Sequence, residues 1–228
     1  MEFAEGAPCW ADAALPDVES GKRFYGDLFG WTFDEGAGAE YGYYTQAYSD
    51  GRSVAALAPD RDGRTPTGWT VYFKARDAET LASAVRDAGG RLLVEPLSIG
   101  PFGTMALAAD PEGTVFGLWQ PGTHIGFEVQ GEPGTFRRTE LHARDRVTVA
   151  PFYASVLGHG PSDLGLSIAT GDAPAHFLVH FAVTDCEATA DAATRLGGRV
   201  KEEPFDTAYG RVAVLTDNQG ADFALHQG

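Results

Sequence analysis

Cysteine is nearly absent from this 228-residue chain. Its two copies, Cys9 and Cys186, lie in opposite halves without C-x-x-C spacing. Such a pair builds no disulfide framework, so a reducing, cytoplasmic compartment is expected. Basic residues are scarce too: 17 Lys and Arg stand against 32 Asp and Glu, a formal net charge of −15. A surface of that sign repels phosphate backbones and anionic headgroups, so neither nucleic acid nor a membrane is an expected partner. No apolar run approaches the ~18 residues of a spanning helix, and no basic-then-apolar leader opens the sequence. A Gly-rich phosphate loop and the G-x-S-x-G elbow are also missing, which removes the usual signatures of P-loop and α/β-hydrolase chemistry. What remains is ordinary globular material, 43% hydrophobic and 21% charged.

What is present is a duplication. GRLLVEPLSIGPFGTMALAADPEGTVFGLWQ, residues 90–120, returns as GRVKEEPFDTAYGRVAVLTDNQGADFALHQ, residues 198–227. Both read as strand, turn, strand, a D-x-x-G turn and a last strand. Asp110 with Gly113, and Asp217 with Gly220, supply the capping side chain and the permissive residue of a tight connection. Phe24-Tyr25 through Gly30 answers Phe152-Tyr153 through Gly158, and the short helix from Asp77 to Gly89 answers that from Asp185 to Gly197. The offset falls from 128 (152 − 24) to 108 (185 − 77), so the second half is 20 residues shorter between its two helices. A fixed-period copy implies a fold built by duplication. The expected organisation is an N-terminal domain over 1–121, a linker over 122–134 and a shortened C-terminal domain over 135–228.

Within the first half the pattern predicts a strand over Cys9–Leu15, a helix capped by Asp17 and closed by Gly30, and strands over Thr32–Asp34, Tyr41–Tyr48 and Ser53–Ala58. Asp50-Gly51 turns the last two into a hairpin. After a polar loop over Pro59–Gly68 come a strand over Trp69–Ala75 and a helix over Ala78–Ala88. The second half predicts a strand over Phe136–Ala143, a helix over Val147–Leu157, a shortened strand region over Leu164–Thr170, a strand over Phe177–Val183 and a helix over Glu187–Leu196. The reading is an α+β chain of tandem paired βαβββ modules.

Those modules, the D-x(6)-F-Y helices and the closing D-P-x-G strand resemble the vicinal oxygen chelate superfamily, which includes glyoxalase I, extradiol dioxygenases and the bleomycin resistance proteins. PCWADAALPDVESGKRFYGDLFGW is similar to its tandem-domain actinobacterial branch. The resemblance implies mixed sheets that cup cavities with helices outside, and in many members a divalent metal held by His, Gln or Glu. The family's spacing would place those ligands 14 residues before the Phe of Phe-Tyr, 7 before the helix-start Asp, and 4 after the D-x-x-G glycine. The positions are Trp10, Thr70 and Gly117 in the first half, and Arg138, Leu178 and Ala224 in the second. None is a good ligand for a divalent transition metal, so no metal cofactor is expected.

Two residues further along each strand, on the same face, lie Asp12, Tyr72 and Trp119, and in the second half Glu140, His180 and His226, with His142 one step beyond. Trp10, Tyr72 and Trp119 with Asp12 would make an aromatic wall carrying one carboxylate, suited to a flat ligand with a polar handle. They could equally be core filling. Glu140, His142 and His180 are the expected proton-transfer residues. Trp10, Asp12, Thr70, Tyr72, Trp119, Arg138 and His226 are the expected ligand contacts. If a metal binds at all, Glu140, His180 and His226 are the expected set. His124, His159 and His176 read as solvated. The expected activity is metal-independent acid–base chemistry of lyase, isomerase, cyclase or hydroxylase type on an aromatic or polyketide-like small molecule. The alternatives are non-catalytic sequestration of such a molecule, as in resistance proteins, and metal-dependent glyoxalase or dioxygenase chemistry. A monomer or weak homodimer is expected, because the tandem repeat supplies module pairing within one chain.

Overall fold

The computed structural model describes residues 2–60, 67–160, 165–168 and 174–228. The first half runs β1 (Pro8–Leu15), α1 (Val18–Phe29), β2 (Thr32–Phe33), a 3-10 turn (Ala39–Tyr41), β3 (Thr45–Ser49), β4 (Arg52–Pro59), β5 (Gly68–Lys74), α2 (Ala78–Asp87), β6 (Arg91–Ile99), β7 (Gly103–Ala109) and β8 (Val115–Pro121). The second runs β9 (Phe136–Ala143), α3 (Arg146–Leu157), β10 (Ser167–Ile168), β11 (His176–Ala182), α4 (Cys186–Arg195), β12 (Arg199–Thr207), β13 (Gly210–Thr216) and β14 (Asp222–Gln227). Their hydrogen bonds make two mixed sheets, ordered β2-β3-β4-β1-β5-β8-β7-β6 and β10-β9-β11-β14-β13-β12. Pairs β1/β4, β5/β8, β9/β10 and β11/β14 are parallel, and the hairpins antiparallel. The α+β architecture of tandem βαβββ modules is therefore present.

Local chemistry explains the boundaries. Each helix begins at an aspartate, Asp17, Asp77, Asp145 or Asp185, whose side chain accepts from a first-turn backbone N–H. Helices α1 and α3 stop at Gly30 and Gly158, both left-handed. The Asp50-Gly51 turn has both residues at positive φ, 49° and 73°, as a two-residue hairpin requires. The expected strand over Tyr41–Tyr48 is corrected: Gly42 and Tyr43, at φ 73° and 58°, break the extended chain, and β3 starts only at Thr45. Of the region expected over Leu164–Thr170, Ser167–Ile168 is strand, while 164, 169 and 170 lie outside the described residues, as do 61–66 of the polar loop.

The chain forms two compact units. The first comprises Met1–Trp10, Thr70–Gly126 and Thr139–Leu178; the second comprises Ala11–Trp69, Phe127–Arg138 and Val179–Gly228. The core of the first contains Val71, Phe73, Phe116, Leu118, Leu141, Phe152, Tyr153 and Phe177, all fully or almost fully buried. The core of the second is an aromatic cluster in which Tyr25, Phe29, Trp31, Trp69, Phe181 and Phe223 meet edge-to-face, tilted or stacked.

Each unit joins the Phe-Tyr helix of one half to the D-x-x-G turn of the other. In the first, Tyr153 Oη donates to Asp110 Oδ2 at 3.1 Å; in the second, Tyr25 Oη donates to Asp217 Oδ2 at 2.9 Å and accepts from Trp69 Nε1 at 3.0 Å. Both aspartates also take the backbone N–H groups of their own turns. Burial raises the Asp110 carboxyl above its ordinary range against the pull of those hydrogen bonds. Burial and the facing carboxylate push both tyrosine hydroxyls up as well. The helix-ending glycines share the pattern: a Cβ on Gly90 would lie 2.8 Å from the Phe152 ring, and one on Gly198 would lie 3.2 Å from the Phe24 ring.

Candidate functional site

Strand alternation decides which side chains leave the core. On β5 and β8, Val71, Phe73, Phe116 and Leu118 enter the core of the first unit. Thr70, Tyr72, Gly117 and Trp119 therefore face away from it, as the sequence register predicts. On β9 and β11, Leu141, Ala143 and Phe177 are core. Glu140, His142 and His176 take the opposite face.

In the first unit, Trp10, Tyr72 and Trp119 are 3%, 7% and 7% exposed. Tyr72 lies against the backbone of Gly117, where a Cβ would stand 2.0 Å from its Cδ1. Trp119 likewise covers Gly103, with ring atoms 2.7 Å and 2.9 Å from a would-be Cβ. Glycine is required at both places because the rings occupy the side-chain space. His124 completes the wall: its ring meets Trp10 edge-on at 4.4 Å and Trp119 at 5.7 Å, and its carbonyl accepts from Trp119 Nε1 at 2.9 Å. The loop carrying it is tied down by Gly122 N and His124 N donating to Phe102 O, and Thr123 N donating to Pro101 O. His124 was expected to be solvated, and this is a correction. Its contacts come from a loop that folds back, which no local periodicity announces.

A second set in this unit is polar. His142 Nε2 lies 3.4 Å from Glu140 Oε1, and both side chains are about a quarter exposed. The His142 ring stacks on His176, 4.9 Å between centroids and 24° between planes. His176, expected to be solvated, is partly exposed, and its strand register also brings its ring over His142. His159, the third such histidine, is half-buried and hydrogen-bonds Gly6 O through Nε2. Cys9 is fully buried beside this wall, its thiol donating to Tyr72 O at 3.5 Å, and burial pushes that thiol up to about 12 against the opposing pull of Lys74.

In the second unit, Asp12 Oδ2 accepts from Tyr44 Oη at 3.0 Å. His180 and His226 are 2% and 1% exposed, with ring centroids 5.9 Å apart. His226 Nε2 meets the Tyr209 carbonyl at 2.8 Å, and the Arg138 guanidinium carbon lies 5.2 Å from the centroid of the Tyr209 ring. Tyr209 was missed by the sequence reading, because a turn residue outside the strand alternation carries no face assignment. Glu140 and His142 thus belong to one unit, and Arg138, His180 and His226 to the other.

The metal that the fold family often carries does not fit these residues. The six positions marked by the family's spacing hold Trp10, Thr70, Gly117, Arg138, Leu178 and Ala224, and the Tyr72 ring fills the space above Gly117. Among the described residues no group of three or more His, Cys, Asp or Glu side chains could hold a metal ion.

Comparison with known proteins agrees with the architecture. The profile of the Glyoxalase/Bleomycin resistance protein/Dioxygenase superfamily matches residues 10–118. The anthracycline biosynthesis protein DnrV of Streptomyces peucetius is 39% identical over 261 residues, covering 98% of this chain and 94% of that protein. The aligned stretch is longer than this chain, so DnrV carries segments with no counterpart here. The putative glyoxylase CFP32 of Mycobacterium tuberculosis is 34% identical, covering 98% and 95%. Among solved structures, the Mn(II)-bound glyoxalase of Novosphingobium aromaticivorans superposes with a TM-score of 0.68 at 16% identity, over 98% of this chain and 82% of that one. The 2,3-dioxygenase LapB of Pseudomonas sp. KL28 gives 0.66 at 14%, over 100% and 94%. These last two likenesses bear on the fold alone. With the duplicated βαβββ modules, the Phe-Tyr and D-x-x-G pairings and relatives aligned over nearly its whole length, the chain belongs to the Glyoxalase/Bleomycin resistance protein/Dioxygenase superfamily.

Proposed function

We propose that this protein binds a flat aromatic or polyketide-derived small molecule and acts on it by acid–base chemistry that needs no metal ion. The observation that carries the reading is the replacement of metal-ligand positions by rings. Trp10 stands at one such position and Tyr72 lies over the glycine at another, with Trp119 and His124 beside them. Rings of this kind recognise flat ligands through stacking and burial, with few polar anchors. Relatives named for anthracycline biosynthesis, aligned over almost the whole chain, support a ligand of this class.

For the chemistry, Glu140 beside His142 in the first unit offers a carboxylate–imidazole pair, with His176 stacked on the ring to hold its orientation. His180 in the second unit is the other proton-transfer candidate. Thr70, Asp12, Arg138 and His226 are assigned to ligand binding, and the protein to the cytoplasm as a monomer or weak homodimer. Turnover of the natural ligand is expected to fall by about 100-fold or more in Glu140→Gln or His180→Asn, with little change in affinity. Trp119→Ala is expected to weaken binding instead. The reading fails if both acid–base variants retain full turnover.

A second reading is non-catalytic sequestration, favoured by an aromatic wall that needs no base to hold a ligand. It predicts binding lost in Trp10→Ala and Trp119→Ala with the bound molecule recovered unchanged. Elemental mass spectrometry of protein grown with iron, zinc and manganese tests metal independence. One metal per chain, lost in His180→Ala, would overturn it.

A further inference from the structure

The turn between β12 and β13 in the second unit organises two side chains that reach it from other strands. Tyr209 stands at its tip, 70% exposed. Its N–H donates to Thr207 Oγ1 at 3.1 Å, and that hydroxyl donates to Gly210 O at 2.6 Å, so the turn is locally braced. Its ring holds the Arg138 guanidinium, and its carbonyl meets His226 Nε2. A carbonyl only accepts, so Nε2 carries the proton, and a neutral His226 has its lone pair on Nδ1. Gly210, at φ 131°, passes so near that a Cβ there would stand 3.0 Å from Nε2, so a side chain at this position would crowd the ring. Nδ1 is buried and has no hydrogen-bond partner among the described residues. An acceptor left so in a buried place costs stability, and a ligand proton would recover it.

We infer that this corner binds an acidic hydroxyl of the ligand, a phenol or an enol, with His226 Nδ1 as proton acceptor, Arg138 as counter-ion and Tyr209 as positioning residue. The inference rests on the proposed class of ligand. In the step, the O–H bond breaks and its electron pair stays on oxygen. The proton bonds to Nδ1, giving an imidazolium still held by Nε2–H on the Tyr209 carbonyl. The oxyanion then lies between the imidazolium and the guanidinium. Other charged groups nearby do not supply the proton's destination: Arg211 on β13 is engaged by Glu187 and Asp206, and the Cys186 thiol donates to the Arg211 carbonyl and is pushed up by burial. His180 on β11 is the neighbouring titratable ring.

The test uses the full chain and 1,8-dihydroxyanthraquinone, whose phenolate absorbs at longer wavelength than the phenol. The bound dye is expected to ionise about one pH unit or more below the free dye. In His226→Gln, which keeps an N–H for the Tyr209 carbonyl but no basic nitrogen, binding should weaken and the dye that still binds should show no such shift. Arg138→Gln should remove part of the shift. An equal shift in wild type and His226→Gln, or binding with no shift, overturns the inference and leaves the aromatic-ligand reading standing. Failure of folded wild-type protein to bind the dye overturns both. Nitrogen-15 NMR of the wild type adds a check independent of any variant's folding. The free protein should show His226 protonated at Nε2 only, and the dye complex at both nitrogens; a proton on Nδ1 in the free protein at pH 8 overturns the inference.

Discussion

Buried hydroxyls and thiols carry the residue-scale predictions. Tyr25 Oη serves two partners, Asp217 and Trp69, whereas Tyr153 Oη serves one, Asp110. Tyr25→Phe strands a carboxylate oxygen and an indole N–H together and should cost about 2–3 kcal/mol; Tyr153→Phe should cost about 1–2 kcal/mol. Urea unfolding of both variants checks the order, and a larger loss for Tyr153→Phe would contradict it. Cys9 supplies the pH dependence. Its thiol stands at about 12 in the fold, against an ordinary value near ~8.5 in the unfolded chain. The fold thus favours the protonated form. The stability this contributes is complete below about pH 8.5 and is lost as pH rises through 12. Iodoacetamide at pH 8 should leave Cys9 unlabelled in the native protein and label it in urea. Prompt native labelling at Cys9 would show the thiol to be reachable and ionised. Neither property was legible beforehand, since a tyrosine in a repeated Phe-Tyr pair does not announce its partner in the other half.

At the scale of elements, a glycine in a strand marks where a ring from another strand lies against the backbone. Gly117→Ala would place a Cβ within the Tyr72 ring's own space and force the ring off β8. The expected result is a loss of about 1–3 kcal/mol and weaker quenching of tryptophan fluorescence by a planar aromatic ligand. Unchanged stability and quenching would mean the ring does not lie there. Helix ends and hairpins were legible because their chemistry is local: an aspartate accepting from the first turn, a glycine in the left-handed region, Asp50-Gly51 between two strands. The 3-10 turn at Ala39–Tyr41 was not, because aromatic residues there satisfy a strand pattern while Gly42 and Tyr43 adopt positive φ.

At the scale of the molecule, the two compact units are not the two sequence halves. Each takes a Phe-Tyr helix from one half and a D-x-x-G turn from the other. Residues 1–121 expressed alone would retain Tyr25 without Asp217 and Asp110 without Tyr153. That fragment should be degraded quickly in limited proteolysis, and residues 135–228 added in trans should protect it. A fragment as resistant as the full chain would refute this dependence. No helix among the described residues is long and apolar enough to cross a membrane.

The sequence by itself determined the duplication, the order of modules, the superfamily and the poverty of metal ligands at the expected positions. Each of those depends on residue identity at fixed spacing, which the chain states directly. Only the tertiary structure decided that the halves exchange motifs, that His124 closes an aromatic wall with Trp10 and Trp119, and that His226 Nε2 meets the Tyr209 carbonyl. Those arrangements join residues from 5 to 192 positions apart. The free energy of ring packing and of satisfying buried donors depends on where the chain returns, and neither spacing nor composition encodes that return locally.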